Sequence, residues 1–578
     1  MTKKQMSNGI KEKVNHWLNA GIDKDSKAKI RDMMTNDPEE LEEAFYKDLE
    51  FGTGGMRGIM GTGPNRMNIY TIGMATQGLA NYVKSQTKLK HPKAAIAYDC
   101  RNNSPLFAET TANILSANGF KVHIFDAMRP VPELSFAIRH LGCHCGVVIT
   151  ASHNPKIYNG YKVFWDDGGQ VTAPHDKGII EEVQAIASPD NVNFNANAKL
   201  IHSIGEKIDK LYLDKLAGLS LSPEAVKENH DMPVVYTPLH GTGVNLVPRC
   251  LSAYGFTNII HVPEQDKPDG NFPTVKSPNP EDASAFDMAM EKARDTHAEL
   301  VMGTDPDADR VGIIVRKNDG DYQLLNGNQT AAILFHYILT RLKEKGKLPK
   351  NGFTVKTIVT SELLAEIADN FDVKSYDTLT GFKFIAAKIR ELEGKEKFIV
   401  GGEESYGYLA DDFVRDKDAV MSCALIAEAA AWAKSRNKTL FDILLDIYVK
   451  YGLYKEELIS VKKEGKAGAE EIREMMEKLR NNSPDSINGV KVTMVNDFLK
   501  QQAVDKISDL RYDITLPKSD VLQFLLADGT KVSIRPSGTE PKIKFYVSVR
   551  SKLSHHDEFK AKDTMLAERI DIILKTLV

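Results

Sequence analysis

Three times along the chain, short apolar runs alternate with helix-like stretches, and each series ends in a polar loop. This alternation predicts strand, helix, strand units, with a parallel sheet and crossover helices in each. The first unit places strands at 94–98, 122–125 and 147–149 and helices at 106–117 and 133–141, and ends in the loop 150–160. The second places strands at 234–237 and 300–302 and helices near 244–254 and 283–296, and ends in aspartates at 305–309. The third runs from a strand near 354–359 through helices at 362–370 and 384–392 to a strand at 398–400, ending in Gly-Gly-Glu-Glu-Ser (401–405). Ligands of open parallel sheets sit beyond the carboxyl ends of the strands, so three such loops predict three walls of one site.

The C-terminal region follows another pattern. A charged, helix-prone stretch at 467–481 precedes an apolar run at 521–526, the turn Asp528-Gly529, strands at 531–534 and 543–549, and a terminal helix through Leu577. Strands joined by an Asp-Gly turn indicate an antiparallel sheet, hence a separate α+β domain. No linker rich in Pro, Gly or Ser marks the joints, so boundaries follow where units begin: 1–220, 221–322, 323–454 and 455–578. The charged stretch ending at Glu50 is expected to be helical packing.

Composition adds mainly exclusions. With 578 residues, 42% apolar and 27% charged, and a formal charge of −4, the chain can bury several cores and carries no basic face for nucleic acid or a membrane surface. An anionic substrate must therefore be met by local charge. Five cysteines (Cys100, Cys143, Cys145, Cys250, Cys423) are too few for a disulfide framework and fit a reducing compartment. The run Cys143-His144-Cys145 matches no zinc spacing. The N-terminus is basic without an apolar core or cleavage site, and no stretch of about 18 apolar residues appears. A cytoplasmic enzyme without nucleic-acid or membrane partners is expected.

Five segments carry candidate chemistry. Ser152, in Thr-Ala-Ser-His-Asn-Pro (150–155), ends a buried strand, the placement a covalent nucleophile needs; a turn capped by Ser is the alternative. Asp305, Asp307 and Asp309, in Asp-Pro-Asp-Ala-Asp-Arg (305–310), can turn their oxygens to one point and suit Mg²⁺ with an open position; a solvated acidic turn is the alternative. An EF-hand is excluded, because its sixth and twelfth positions hold Arg310 and Arg316 where Gly and Glu are required. Glu403 and Ser405 can accept from and donate to vicinal sugar hydroxyls. Arg-Pro-Ser-Gly-Thr-Glu-Pro-Lys (535–542) offers a guanidinium, hydroxyls and open backbone N–H groups, a nest for a phosphate dianion or else a plain turn. Gly-Thr-Gly-Gly-Met-Arg-Gly (52–58) has neither P-loop nor dinucleotide spacing, and Arg57 is its feature of interest.

Together and in this order, the segments resemble the α-D-phosphohexomutase superfamily, in its phosphoglucomutase/phosphomannomutase branch. The stretch 51–65 and Thr-Pro-Leu-His-Gly-Thr-Gly (237–243) are similar to the branch that includes phosphopentomutases. The resemblance implies three similar mixed α/β/α sandwich domains and a smaller C-terminal α+β domain around a central cleft. By the family pattern Ser152 is the phosphoserine and one Mg²⁺ is held by Asp305, Asp307, Asp309 and an oxygen on Ser152. Arg57, His153, Lys162 and Arg310 would line the transferring phosphoryl group, while Thr380, Gly381, Glu403 and Ser405 grip the sugar. Arg535, Ser537, Gly538 and Thr539 would hold the phosphate that is not reacting.

The implied reaction interconverts glucose 1-phosphate and glucose 6-phosphate through glucose 1,6-bisphosphate, which turns end over end before returning a phosphoryl group to Ser152. Mannose phosphates are alternative substrates, as are ribose and deoxyribose 1-phosphates. A phosphatase and a non-catalytic sugar-phosphate sensor are readings of other classes. Some relatives use a histidine of the sugar loop as general base, and this chain has none between Glu403 and Asp418; the resemblance suggests Lys417 instead, with Lys162 as the other candidate, and either requires a lowered lysine pKa.

Overall fold

The structure, a computed structural model, describes residues 7–52, 54–463, 465–537 and 542–577. Its strands form four sheets among these residues. In the first, the order is Gly55–Ile59, Tyr158–Trp165, Cys145–Ile149, Lys93–Tyr98, Lys121–Phe125 and Ile201–Ile204. The last four run parallel, whereas Tyr158–Trp165 and Gly55–Ile59 are antiparallel to their neighbours. The helices Ser104–Ala117 and Val131–Leu141 make the crossovers and bury one face each against this sheet.

The second sheet is ordered Tyr322–Leu325, Val311–Arg316, Leu300–Thr304, Val234–Thr237 and Ile259–His261, and the third Lys374–Thr378, Gly352–Thr357, Lys397–Gly402 and Tyr408–Ala410. Each of these sheets thus adds antiparallel strands to the parallel core that the strand and helix pattern predicts. After each functional loop the chain turns straight back as an antiparallel strand: Tyr158–Trp165, Val311–Arg316 and Tyr408–Ala410. A loop of a few residues can close only an antiparallel pair, since a parallel return needs a crossover of a dozen residues or more.

The predicted helix at 283–296 is a 3₁₀ turn, Ala283–Phe286, followed by the helix Asp287–Thr296. Lys374–Thr378 was not foreseen as a strand, because it is a sheet edge without a run of apolar residues. The fourth sheet is antiparallel throughout and includes Leu522–Leu526, Lys531–Pro536 and Lys542–Ser551, with the helix Phe559–Leu577 packed on it. Helices Asn8–Asn19, Lys24–Asn36 and Pro38–Phe45, each begun by a side-chain cap from Ser7, Asp23 or Asp37, bury Trp17 edge-on between Phe45 and Tyr70. Among the described residues no helix is long and apolar enough to cross a membrane.

Candidate active site

The aspartate loop is tied to its surroundings through its own backbone. Pro306 O accepts from Thr242 N–H at 2.9 Å, Asp307 O from Val131 N–H at 3.0 Å, and Ala308 O from Ala419 N–H at 3.2 Å. Each donor comes from a segment next to a different sheet, so one short loop meets elements of the first three units. Ala308 itself adopts a left-handed φ of 48°, unfavourable for a residue with a Cβ and sustained only where the surroundings enforce it.

The serine loop is held from beneath by a residue the sequence reading missed. Arg101 is fully buried, and its guanidinium donates to Ser152 O and Asn154 O at 2.5 Å, Pro155 O at 3.0 Å and Tyr158 O at 3.1 Å. Asp99 lies 3.4 Å from Arg101 Nε and balances its charge. The available signal was Asp-Cys-Arg (99–101) directly after a buried strand, the same position in the sheet that carries the serine. Ser152 also has a left-handed φ, of 50°, and its N–H donates to Thr150 Oγ1 at 2.9 Å. Its hydroxyl donates to Asp305 Oδ2 at 2.7 Å and lies 3.2 Å from His153 Nδ1.

Asp305, Asp307 and Asp309 are buried, and each offers a carboxylate oxygen within 4.8 Å of the others. Lys162 Nζ approaches Asp307 at 2.8 Å and Asp309 at 3.6 Å, and Lys417 Nζ approaches Asp309 at 3.1 Å. Asp307 Oδ1 and Asp309 Oδ1 have no hydrogen-bond partner although buried. Buried carboxylate oxygens without donors are costly, and three hard oxygens facing one point fit a divalent cation, so the triad can hold a metal ion. Burial, with Asp307 and Asp309 alongside, pushes the Asp305 carboxyl well above its ordinary range. Burial acts the same way on Asp307, but Lys162 outweighs it and holds that carboxyl low.

Above the triad opens a cavity of about 870 Å³ lined by Arg57, Ser152, His153, Lys162, Asp309, Arg310, Thr380, Gly381, Glu403, Ser405, Lys417 and Arg535. Predicted residues from all four sheets or their loops therefore meet in one cleft, with Asp305 and Asp307 buried against its lining residues Ser152 and Lys162. Arg57 donates to Asn154 Oδ1 at 3.0 Å, and Arg310 pairs with Glu281 at 2.7 Å. Burial and the cationic Arg310 and Arg57 hold His153 well below the usual imidazole range, so it stays neutral. Gly381, at φ 118°, directs its N–H to Glu403 Oε1 at 2.8 Å, and burial, opposed by Lys417, pushes Glu403 up to about 7.

In the C-terminal domain Ser537 N–H donates to Lys542 O at 2.7 Å, but Ser537 is not among the cleft-lining residues. Gly538 and Thr539, also expected to bind phosphate, lie outside the described residues, as does Thr53 of the glycine-rich loop. Lys531, Lys544 and Tyr546 line the cleft without having been foreseen, because single residues at strand positions carry no motif. Lys47, Leu49 and Glu50 do so too, which gives the N-terminal stretch a part in the wall.

The general base expected at Lys417 or Lys162 needs a lowered lysine pKa, and the surroundings of both lysines act against that. Burial works to lower the Lys417 pKa, but Asp309, Asp416 and Glu403 outweigh it and hold the ammonium above its ordinary value. Lys162 is raised likewise, with Asp307 and Asp309 outweighing burial. Carboxylates within a salt-bridge distance favour the charged form more than burial penalises it. The neighbouring carboxylates thus favour the charged form of both lysines, a condition that spacing in the sequence did not reveal.

Comparison with known proteins agrees with this arrangement. Residues 48–190, 210–320 and 326–451 match the phosphoglucomutase/phosphomannomutase alpha/beta/alpha domains I, II and III, and residues 459–560 match the C-terminal domain. A phosphoglucomutase of Staphylococcus haemolyticus (strain JCSC1435) is 40% identical over 513 residues, which span 88% of this chain and 91% of that protein. One of Staphylococcus epidermidis (strain RP62A) is 39% identical over 541 residues, spanning 93% and 96%. In fold, the chain is similar to a putative phosphomannomutase from Thermus thermophilus, with a TM-score of 0.67 at 20% identity, covering 92% of this chain and 98% of that one. It is equally similar to the open form of parafusin, a phosphoglucomutase from Paramecium, with a TM-score of 0.67 at 19% identity, covering 92% and 95%.

Proposed function

We propose, from the premise that this chain belongs to the phosphoglucomutase/phosphomannomutase family, that it interconverts glucose 1-phosphate and glucose 6-phosphate by passing a phosphoryl group through Ser152. The observation that carries this reading is the 2.7 Å contact between the Ser152 hydroxyl and Asp305 within a buried carboxylate triad, where Ser152 and Asp309 line a cleft large enough for a sugar bisphosphate. In this reading the chain divides into four units near 220, 322 and 454.

Asp305, Asp307 and Asp309, with a Ser152 oxygen, would hold Mg²⁺, which when bound supplies neutralising charge beside the phosphoryl group. Two phosphate dianions repel each other, and catalysis of phosphoryl transfer is mostly positioning and neutralisation. Arg57, Lys162, Arg310 and Lys417 line the cleft as cations and reduce that repulsion, while neutral His153 can hydrogen-bond without adding charge. Thr380, Gly381, Glu403 and Ser405 orient the sugar. Arg535, with Ser537, Gly538 and Thr539, would grip the distant phosphate, whichever sugar carbon carries it, and so accept glucose 1,6-bisphosphate in both orientations. Closure of the C-terminal domain over the cleft protects phospho-Ser152 from water.

Intact mass before and after incubation with glucose 1,6-bisphosphate tests this. One added phosphate, lost in Ser152→Ala together with isomerisation of glucose 1-phosphate, is expected. An unmodified serine in an active enzyme, or activity confined to pentose phosphates, overturns the mechanism or the substrate, respectively.

A further inference from the structure

The segment 237–243 has no part in the chemistry above, yet it joins the aspartate loop, through Thr242, to the segment 262–282, through His240. We propose that His240 is a positioning residue: it pins the segment 262–282 as a strap that sets the register of the Ser152 loop against the aspartate loop. The proposal rests on the mutase reading given above.

His240 is buried, and both ring nitrogens are used. Nδ1 lies 2.8 Å from Lys267 O, a pure acceptor, so Nδ1 donates there, and Nε2 is hydrogen-bonded to the Thr274 hydroxyl, also at 2.8 Å. The Thr274 hydroxyl accepts in turn from Gln265 Nε2 at 3.1 Å, and Gln265 Oε1 accepts from Thr237 Oγ1 at 2.6 Å. His240 N–H donates to Gln265 O at 3.0 Å. The network closes on itself at a φ of 65° for His240, a backbone conformation that needs such support.

The two sides of this pin face different parts of the site. On one side, Thr242 N–H donates to Pro306 O at 2.9 Å, and Gly241 backs so closely on Pro306 that a Cβ there would fall 2.5 Å from its Cα. On the other side runs the strap, which contains neither helix nor strand over 262–282, a length uncommon for a structureless connection without a function. Asn271 Oδ1 accepts from Asn102 Nδ2 at 3.1 Å, and the Phe272 ring lies 5.1 Å from the guanidinium of Arg101, which carries the serine loop. Ser277 Oγ donates to His153 O at 3.3 Å, and Glu281 pairs with Arg310 at 2.7 Å. Freeing the strap from His240 lets these contacts slip together, and with them the distance from Ser152 to the carboxylates.

The test is Thr274→Val, which removes the hydroxyl at constant shape, with Thr274→Ser as its rescue and Ser277→Ala as a second cut in the strap. A displacement of about 1 Å at a reacting centre costs on the order of a hundredfold in rate, so Thr274→Val should lower kcat by about tenfold to a hundredfold with little change in KM. It should also weaken Mg²⁺ binding, read by titration calorimetry, and Thr274→Ser should restore both. Combined with Ser277→Ala, it should lose no more than the worse single variant. A lowered melting temperature with unchanged kcat and Mg²⁺ affinity, or losses that multiply in the double variant, overturns the proposal. Wild-type protein that binds Mg²⁺ without isomerising glucose 1-phosphate sinks the mutase reading instead, and the Mg²⁺ affinities of the variants still decide the role of His240.

Discussion

The Ser152 hydroxyl donates to Asp305 Oδ2 at 2.7 Å, although the two residues are 153 positions apart and follow strands of different sheets. An oxygen bound to Ser152 and the carboxylates can thus serve a single ion. Replacing Asp307 by Asn removes one hard anionic ligand and the partner of Lys162. Activity titrated against Mg²⁺ should then need at least about a hundredfold more metal, more than the effect typical of losing an outer-shell partner. An unchanged Mg²⁺ requirement would remove the triad from the reaction.

Arg101 carries four carbonyl oxygens of the serine loop and has no exposed surface through which water could replace it. Arg101→Ala strips these carbonyls of the guanidinium and leaves buried Asp99 without its counter-charge, so a loss of about 3–5 kcal/mol is expected in urea unfolding. The folded fraction should also incorporate phosphate on Ser152 slowly. A variant as stable and as readily phosphorylated as wild type would show that the loop holds its own shape.

Lys417 lies between Asp309 Oδ2 at 3.1 Å and Asp416 Oδ1 at 3.2 Å. As a cation it is replaceable in part by Arg, which cannot lose its proton under ordinary conditions. Lys417→Gln should lower kcat by about a hundredfold or more, comparable to losing one preorganised donor, and Lys417→Arg should lose clearly less. Equal inactivity of the two would return the role of base to the lysine.

Burial pushes the Asp418 carboxyl up to about 6, although the Met421 N–H and the Tyr212 hydroxyl, 2.6 Å away, oppose it. The folded state therefore holds this proton where the unfolded chain, near 3.8, has released it. Stability is lost as pH rises from about 4 to about 6 and then levels off, by about 3 kcal/mol in all for this group. Asp418→Asn keeps the helix cap without the titration. Subtracting its urea-unfolding profile from that of wild type should isolate the slope, and a flat difference across this range would contradict it.

The local pattern of the chain was sufficient for the strand and helix series, the antiparallel C-terminal sheet, and the loops carrying Ser152, the three aspartates, Glu403 and Arg535, because those signals lie within a few neighbouring residues. Apolar periodicity and a nucleophile at a strand end are local properties. The antiparallel returns, the part of Arg101 beneath the serine, the placement of Lys47 in the cleft wall and the pinning of the strap by His240 were decided only by the tertiary structure. So was the protonation of Lys417, since the carboxylate of Asp309 that overrides burial is 108 residues away in the chain and 3.1 Å away in space. Charge and hydrogen bonding act through distance in three dimensions, and a sequence records that distance only between near neighbours.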